Sequence, residues 1–127
     1  MTTRNISKRP LTELQQAILD LLWTHGPATA DAVREGLHAA HPLKDSSVRT
    51  LLRRLEARGY LTHRLDGKVF VYRTTVPAQS LAARTVRQVI DRFCSGSVEQ
   101  FLTGMVDEKV LSIHELRRLA KKVKART

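Results

Sequence analysis

The chain has 127 residues, with 22 Lys+Arg against 12 Asp+Glu, a formal net charge of +10 and 42% hydrophobic residues. That length fits one domain, or one small domain with an appended element, and excludes a separate large catalytic domain. No apolar run approaches the roughly 18 residues of a membrane span, and the lone cysteine, Cys94, excludes an intrachain disulfide or a cysteine-built metal framework.

Residues 1–10 are polar and basic, with Arg4, Lys8 and Arg9 ahead of Pro10, and read as a flexible arm. Glu13, Gln15 and Gln16 interrupt what would be the apolar core of a signal peptide. A soluble, cytoplasmic protein without membrane insertion is therefore expected, and a single cysteine suits a reducing compartment. Thr12-Glu13-Leu14-Gln15 makes a Thr-x-x-Gln capping box, in which each side chain satisfies a free backbone N–H at the helix start. The spacing of Leu14, Ala17, Ile18, Leu21 and Leu22 predicts a helix to about Thr24. Gly26-Pro27 ends it, since Gly suits the left-handed position past a helix and Pro cannot continue one.

A second helix is predicted from Thr29 or Ala30 to Ala40, with Ala30, Val33 and Leu37 facing inward. A third starts at Asp45 or Ser46, both good N-caps, and runs to Arg58. Its apolar stripe is Val48, Leu51, Leu52 and Leu55, and Gly59 stops it. The pattern then turns aromatic and β-branched, and Asp66-Gly67 between extended runs signals a hairpin with arms Tyr60–Leu65 and Lys68–Thr74. Both faces of the arms carry apolar side chains, so the inward face stays open.

After Pro77 the helical period returns through Leu81, Ala82, Val86, Val89, Ile90 and Phe93. Capping boxes at Ser97–Gln100 and Ser112–Glu115 open two more helices, with stripes Val98, Phe101, Leu102, Met105 and Ile113, Leu116, Leu119, Ala120, Val123. The basic excess is shared equally: residues 1–77 hold 12 basic and 7 acidic side chains, and residues 78–127 hold 10 and 5. It points to an anionic partner, with nucleic acid ahead of an acidic membrane surface and plain solubility as the alternative.

Three short helices followed by a hairpin is the order of a winged helix-turn-helix, whose third helix enters the major groove. The expected fold is thus mainly α with a small β-hairpin: a winged helix-turn-helix over 11–76 and a three-helix domain over 77–127. Off its apolar stripe the third helix carries Ser46, Ser47, Arg49, Thr50, Arg53, Arg54 and Arg58, with Glu56 as the acid on that face. Small hydroxyls allow close approach, and arginine binds guanine as a pair of hydrogen bonds or pins phosphate. The hairpin adds Arg64 and Arg73, with Lys68 beside its tip. The plainer reading is a solvated basic face on a structural helix and a hairpin that covers the core.

The segments LTELQQAILDLLW at 11–23, SSVRTLLRRLEARGYL at 46–61 and DGKVFVYR at 66–73 resemble the BlaI/MecI (penicillinase repressor) family of bacterial winged-helix repressors. The resemblance spans about residues 11–125. It implies an N-terminal DNA-binding domain and a C-terminal helical domain that dimerises. It also implies repression at inverted-repeat operators of resistance genes, with Ser47, Arg49, Thr50 and Arg53 as groove-facing contacts. Members usually carry an aromatic residue in the middle of the first helix, where this chain has Gln16, while Trp23 is kept. Well-studied members are inactivated at an Asn-Phe bond, which the matching Phe101-Leu102-Thr103-Gly104-Met105 lacks. A membrane sensor-protease is a further partner that the resemblance implies, with its bond unplaced. Copper-responsive relatives use C-terminal cysteines, and a lone Cys94 argues against that mode.

The C-terminal stripes are too extensive for a small helical unit to bury alone. A homodimer through Leu81, Val86, Val89, Ile90, Phe93, Phe101, Leu102, Leu116 and Leu119 is expected, spacing two recognition helices about one DNA turn, roughly 34 Å. The alternative is a monomer with these helices folded back. The tail from Arg117 to Arg126 reads as a solvated basic face or as further phosphate contacts. No constellation supports an enzyme: His38 and His41 sit three apart without further ligands, and no Gly-rich phosphate loop or paired acids occur. No cofactor or metal is expected. Two rivals to a repressor are a winged-helix regulator that senses a small ligand directly and a non-specific architectural DNA binder.

Overall fold

The computed structural model describes residues 9–126. The arm over 1–10 lies, apart from exposed Arg9 and Pro10, outside the described residues. The elements follow in the order α1 (Glu13–His25), β1 (Ala28–Thr29), α2 (Ala30–Leu37), α3 (Asp45–Ala57), β2 (Leu61–Asp66), β3 (Val69–Thr74), α4 (Ala78–Phe93), α5 (Val98–Asp107) and α6 (Ile113–Arg126). The architecture is mainly helical with one small antiparallel sheet. It divides into two compact units, 1–80 and 81–127.

In the first unit the Thr12–Gln15 capping box forms in full: Gln15 N–H donates to Thr12 Oγ1 at 3.2 Å and Thr12 N–H to Gln15 Oε1 at 3.0 Å. Gly26 ends α1 at φ +89° and ψ −173°. This is an extended mirror-image geometry that glycine alone adopts freely, in place of the expected left-handed turn. Thr29 caps α2, which stops at Leu37 and so falls short of Ala40. The cap of α3 is Lys44, with no side-chain hydrogen bond, and Asp45 already stands in the first turn. Neither Asp45 nor Ser46 therefore caps the helix. A carboxylate in the first turn still complements the positive end of the helix dipole.

The sheet runs β1-β3-β2, all antiparallel. β1 is two residues long and pairs Ala28 with Tyr72 and Thr29 with Val71; it has no counterpart in the sequence reading. In the hairpin Asp66 pairs with Val69, so Gly67-Lys68 is the loop and Asp66 belongs to the strand. Gly67 has φ +64° while Lys68 keeps negative φ. Positive φ at the first central residue alone is the type II′ requirement, which Gly at that place satisfies.

Ile18 and Leu19 of α1, Val33 of α2, Val48, Leu52 and Leu55 of α3, and Leu61 of β2 are the fully buried large side chains. Tyr60, Tyr72 and Val76 close the rim, and Trp23 Nε1–H donates to the Val76 carbonyl at 3.0 Å. Alternation along the strands answers the open question of the inward face: Leu61 and Tyr72 are buried, and the same face continues through His63 to exposed Leu65 and Phe70 at the tip.

In the second unit Ser97 caps α5 and Ser112 opens α6 through a reciprocal box with Glu115, both bonds at 3.0 Å. The Ser112 backbone N–H, and then its hydroxyl, hold the Glu115 carboxyl below the usual carboxylate range. Neither α5 nor α6 contains a fully buried residue.

Candidate nucleic-acid interface

The outward side of α3 brings most of the candidate residues together. Ser46, Arg49, Arg53 and Arg54 are exposed, while Ser47 and Thr50 are half-buried at its edges. Helical geometry dictates this. Val48, Leu52 and Leu55 turn inward, so the residues about half a turn away face solvent. Thr50 Oγ1–H donates to the Ser46 carbonyl at 2.9 Å, so its proton is spent on the helix's own backbone. Its methyl group and both acceptor lone pairs stay available.

Arg58 departs from the expected face. Its Nη1–H donates to Gln15 Oε1 at 2.9 Å, its Nη2–H to the Arg9 carbonyl, and its guanidinium lies 5.2 Å from the Tyr60 ring centre. Gln15 is itself buried, so Arg58 ties the end of α3 to the start of α1 and is a structural residue.

The acid of the face is also a different one. Glu56 is half-buried and accepts from His63 Nδ1 on β2, with oxygen distances of 2.7 and 2.9 Å. The His63 ring lies 4.5 Å from Phe70 and 5.6 Å from Tyr72. This cluster pins the wing to the C-terminal half of α3. Burial pushes the Tyr72 hydroxyl upward, as does the Glu56 charge, while Arg49 and Arg53 act the other way. The acid on the exposed side is Asp45, whose Oδ2 accepts from Arg49 Nε at 2.8 Å. That bond holds the Asp45 carboxyl below the usual range and pushes the Arg49 guanidinium further up. The spacing i, i+4 was the available signal.

On the wing Lys68 is exposed in the loop, and Arg64 is exposed on β2 opposite Val71. Strand alternation puts Arg64 and Arg73 on the other sheet face from His63 and Tyr72. Arg64 is thus not brought onto the face that meets α3.

The apolar residues assigned to the second unit divide by exposure. Leu81 and Ile90 are buried in the single chain, and Val86, Phe101, Leu102 and Leu116 are half-buried. Val89 and Leu119 are exposed, and Phe93 is 73% exposed. Leu81 and Ile90 are therefore not available to a partner, whereas Phe93, Val89 and Leu119 are. Among the described residues no group of His, Cys, Asp or Glu is placed to hold a metal ion, and no helix is long and apolar enough to cross a membrane.

The sequence pattern of the penicillinase repressor family matches residues 11–125. The chain belongs to the penicillinase repressor family. As a member it is a transcriptional regulator and not an enzyme. Methicillin resistance regulatory protein MecI of Mammaliicoccus sciuri is 23% identical over 115 residues, 88% of this chain and 94% of that protein. The penicillinase repressor of Bacillus licheniformis is 21% identical over 109 residues, 86% of this chain and 85% of that protein. Among solved structures, the DNA-binding domain of the repressor BlaI aligns with a TM-score of 0.52 at 22% identity, covering 57% of this chain and 89% of the domain. A MarR family protein from Bacillus stearothermophilus aligns with a TM-score of 0.51 at 21% identity, over 91% of this chain and 77% of that one. These likenesses establish a winged-helix fold.

Proposed function

We propose that this chain is a DNA-binding repressor that acts as a homodimer on an inverted-repeat operator, in control of antibiotic- or stress-response genes. The observation that carries the reading is the exposed face of α3, where Arg49, Arg53, Arg54 and Ser46 stand together on a helix whose opposite side is sealed in the core. Membership of a repressor family, and relatives named for penicillinase and methicillin resistance, support the regulatory role.

In this reading residues 11–76 bind DNA. α3 occupies the major groove, Ser47, Arg49, Thr50 and Arg53 meet base edges, and Arg54, Arg64 and Lys68 meet phosphates. The +10 charge supplies a salt-sensitive grip that is blind to sequence. Residues 77–127 join two copies through Phe93, Val89, Leu119 and the half-buried residues beneath them. The protein works in the cytoplasm, where its DNA is. A membrane sensor-protease is the proposed input. Phe101–Met105 lies inside α5, so a protease acting there must first unwind the helix, which supports a cleavage point elsewhere.

The test is a footprint on the DNA upstream of the protein's own gene. Protection of two symmetric half-sites, centred about one helical turn or a whole multiple apart, is expected. Uniform coverage without a repeat would replace the repressor with an architectural binder.

A further inference from the structure

Arg49 differs from the other arginines of the α3 face. Arg53 and Arg54 are exposed and carry no ion pair among the described residues. Arg49 is held by Asp45 through Nε, at 2.8 Å. The bond occupies one edge of the guanidinium and leaves the terminal Nη1–Nη2 edge. That edge offers two parallel N–H groups, the pattern that meets guanine O6 and N7 together.

The local electrostatics separate two uses of this side chain. Asp45 cancels the Arg49 charge at short range, and Asp31 and Arg34 of α2 add one further charge of each sign around Asp45. A phosphate approaching Arg49 therefore meets a guanidinium already partnered by Asp45, with the Asp31 carboxylate acting on it as well. A guanine edge needs no net charge. It needs two donors in a fixed direction, and the carboxylate supplies the direction. A free arginine would have to surrender its rotamers at the moment of contact, whereas a buttressed one has already done so.

We infer that Asp45 is a positioning residue that locks Arg49 for reading a guanine and withholds it from phosphate. This rests on the reading of α3 as the groove-facing helix. It sets Arg49 apart as a reader held ready by a carboxylate, while Arg53 must order itself as it meets the bases and Arg54 grips phosphate.

Full-length wild type, Asp45→Ala and Arg49→Lys are each used to select from a pool of DNA duplexes with a randomised core. Wild type is expected to enrich a motif with guanine at one position of each half-site. Asp45→Ala is expected to lose about tenfold of the preference at that position. Its affinity for random duplex should hold or rise, because a negative charge has left the DNA face. Arg49→Lys should lose the same preference while keeping its charge. An unchanged motif with uniformly tighter binding by Asp45→Ala would make Asp45 a repulsive charge only and overturn the inference. A parallel fall in melting temperature and in all binding would make it a helix stabiliser only, with the same consequence. A wild type that enriches no motif would remove the groove-facing reading itself, a result distinct from a motif that the variant leaves untouched.

Discussion

In α3 the apolar stripe of Val48, Leu52 and Leu55 is withdrawn from solvent altogether, while in α6 a stripe of the same helical spacing, Ile113, Leu119 and Val123, stays exposed. The two helices have similar lengths and both are strongly basic on the other side. What differs is what converges on them. The first unit packs α2 and β2 against α3 and α1 against α2 and β3, and the fully buried large side chains all lie in that unit. In the second unit α5 and α6 bury no residue fully. Periodicity thus announces that a helix has a face to cover, but not whether the chain covers it. A closed unit can present a polar surface to DNA. An unfinished one presents apolar surface, which suits a second copy of the chain.

The comparison breaks first at its closed end. Leu52→Ala removes a fully buried side chain and is expected to cost about 2–5 kcal/mol, the usual range for such a cavity. Urea denaturation followed by circular dichroism measures it. A loss well under 1 kcal/mol would mean that the first unit is not the sealed core described. The open end is expected to respond in the opposite sense. Phe93→Ser alters a side chain that is 73% exposed, so the fold should tolerate it. Self-association, read by sedimentation at tens of micromolar, should weaken by about tenfold or more, as for the anchor of an interface. Wild type that sediments as a monomer would contradict the homodimer itself, and a variant that sediments like wild type would move the dimer seam away from this face.

Much of this organisation was legible in the sequence. The capping residues Thr12, Ser97 and Ser112 mark helix starts because their side chains satisfy backbone donors locally, whatever the rest of the chain does. The stripes of α1, α2 and α3 were legible for the same local reason. β1 was not, because two residues have no period and their pairing with Tyr72 and Val71 is a tertiary event. The hairpin loop was displaced by one residue. Asp-Gly carries a general preference, but here the register keeps Asp66 in the strand and leaves Gly67 to supply the positive φ.

The site was legible in composition more than in arrangement. Arg58 falls on the polar side of a helical wheel, yet it turns back to Gln15 and Arg9 because the helix ends there and the side chain is long enough to return. Glu56 is drawn off the face by His63, a partner seven residues away that only the hairpin brings close. Asp45 was available to the i, i+4 rule. The expectation that it caps α3 hid its role as a partner of Arg49.

The contrast between a closed first unit and an open second one takes its functional meaning from the proposal that α3 reads DNA. The direct measurement is the affinity of Arg53→Ala for the footprinted operator and for random duplex, at one fixed salt concentration. Arg53 sits in the middle of the exposed face, so operator binding should fall by about 1–3 kcal/mol, with a smaller loss on random DNA. Equal losses on the two DNAs would mean that Arg53 touches only phosphate, and would contradict α3 as the source of sequence specificity.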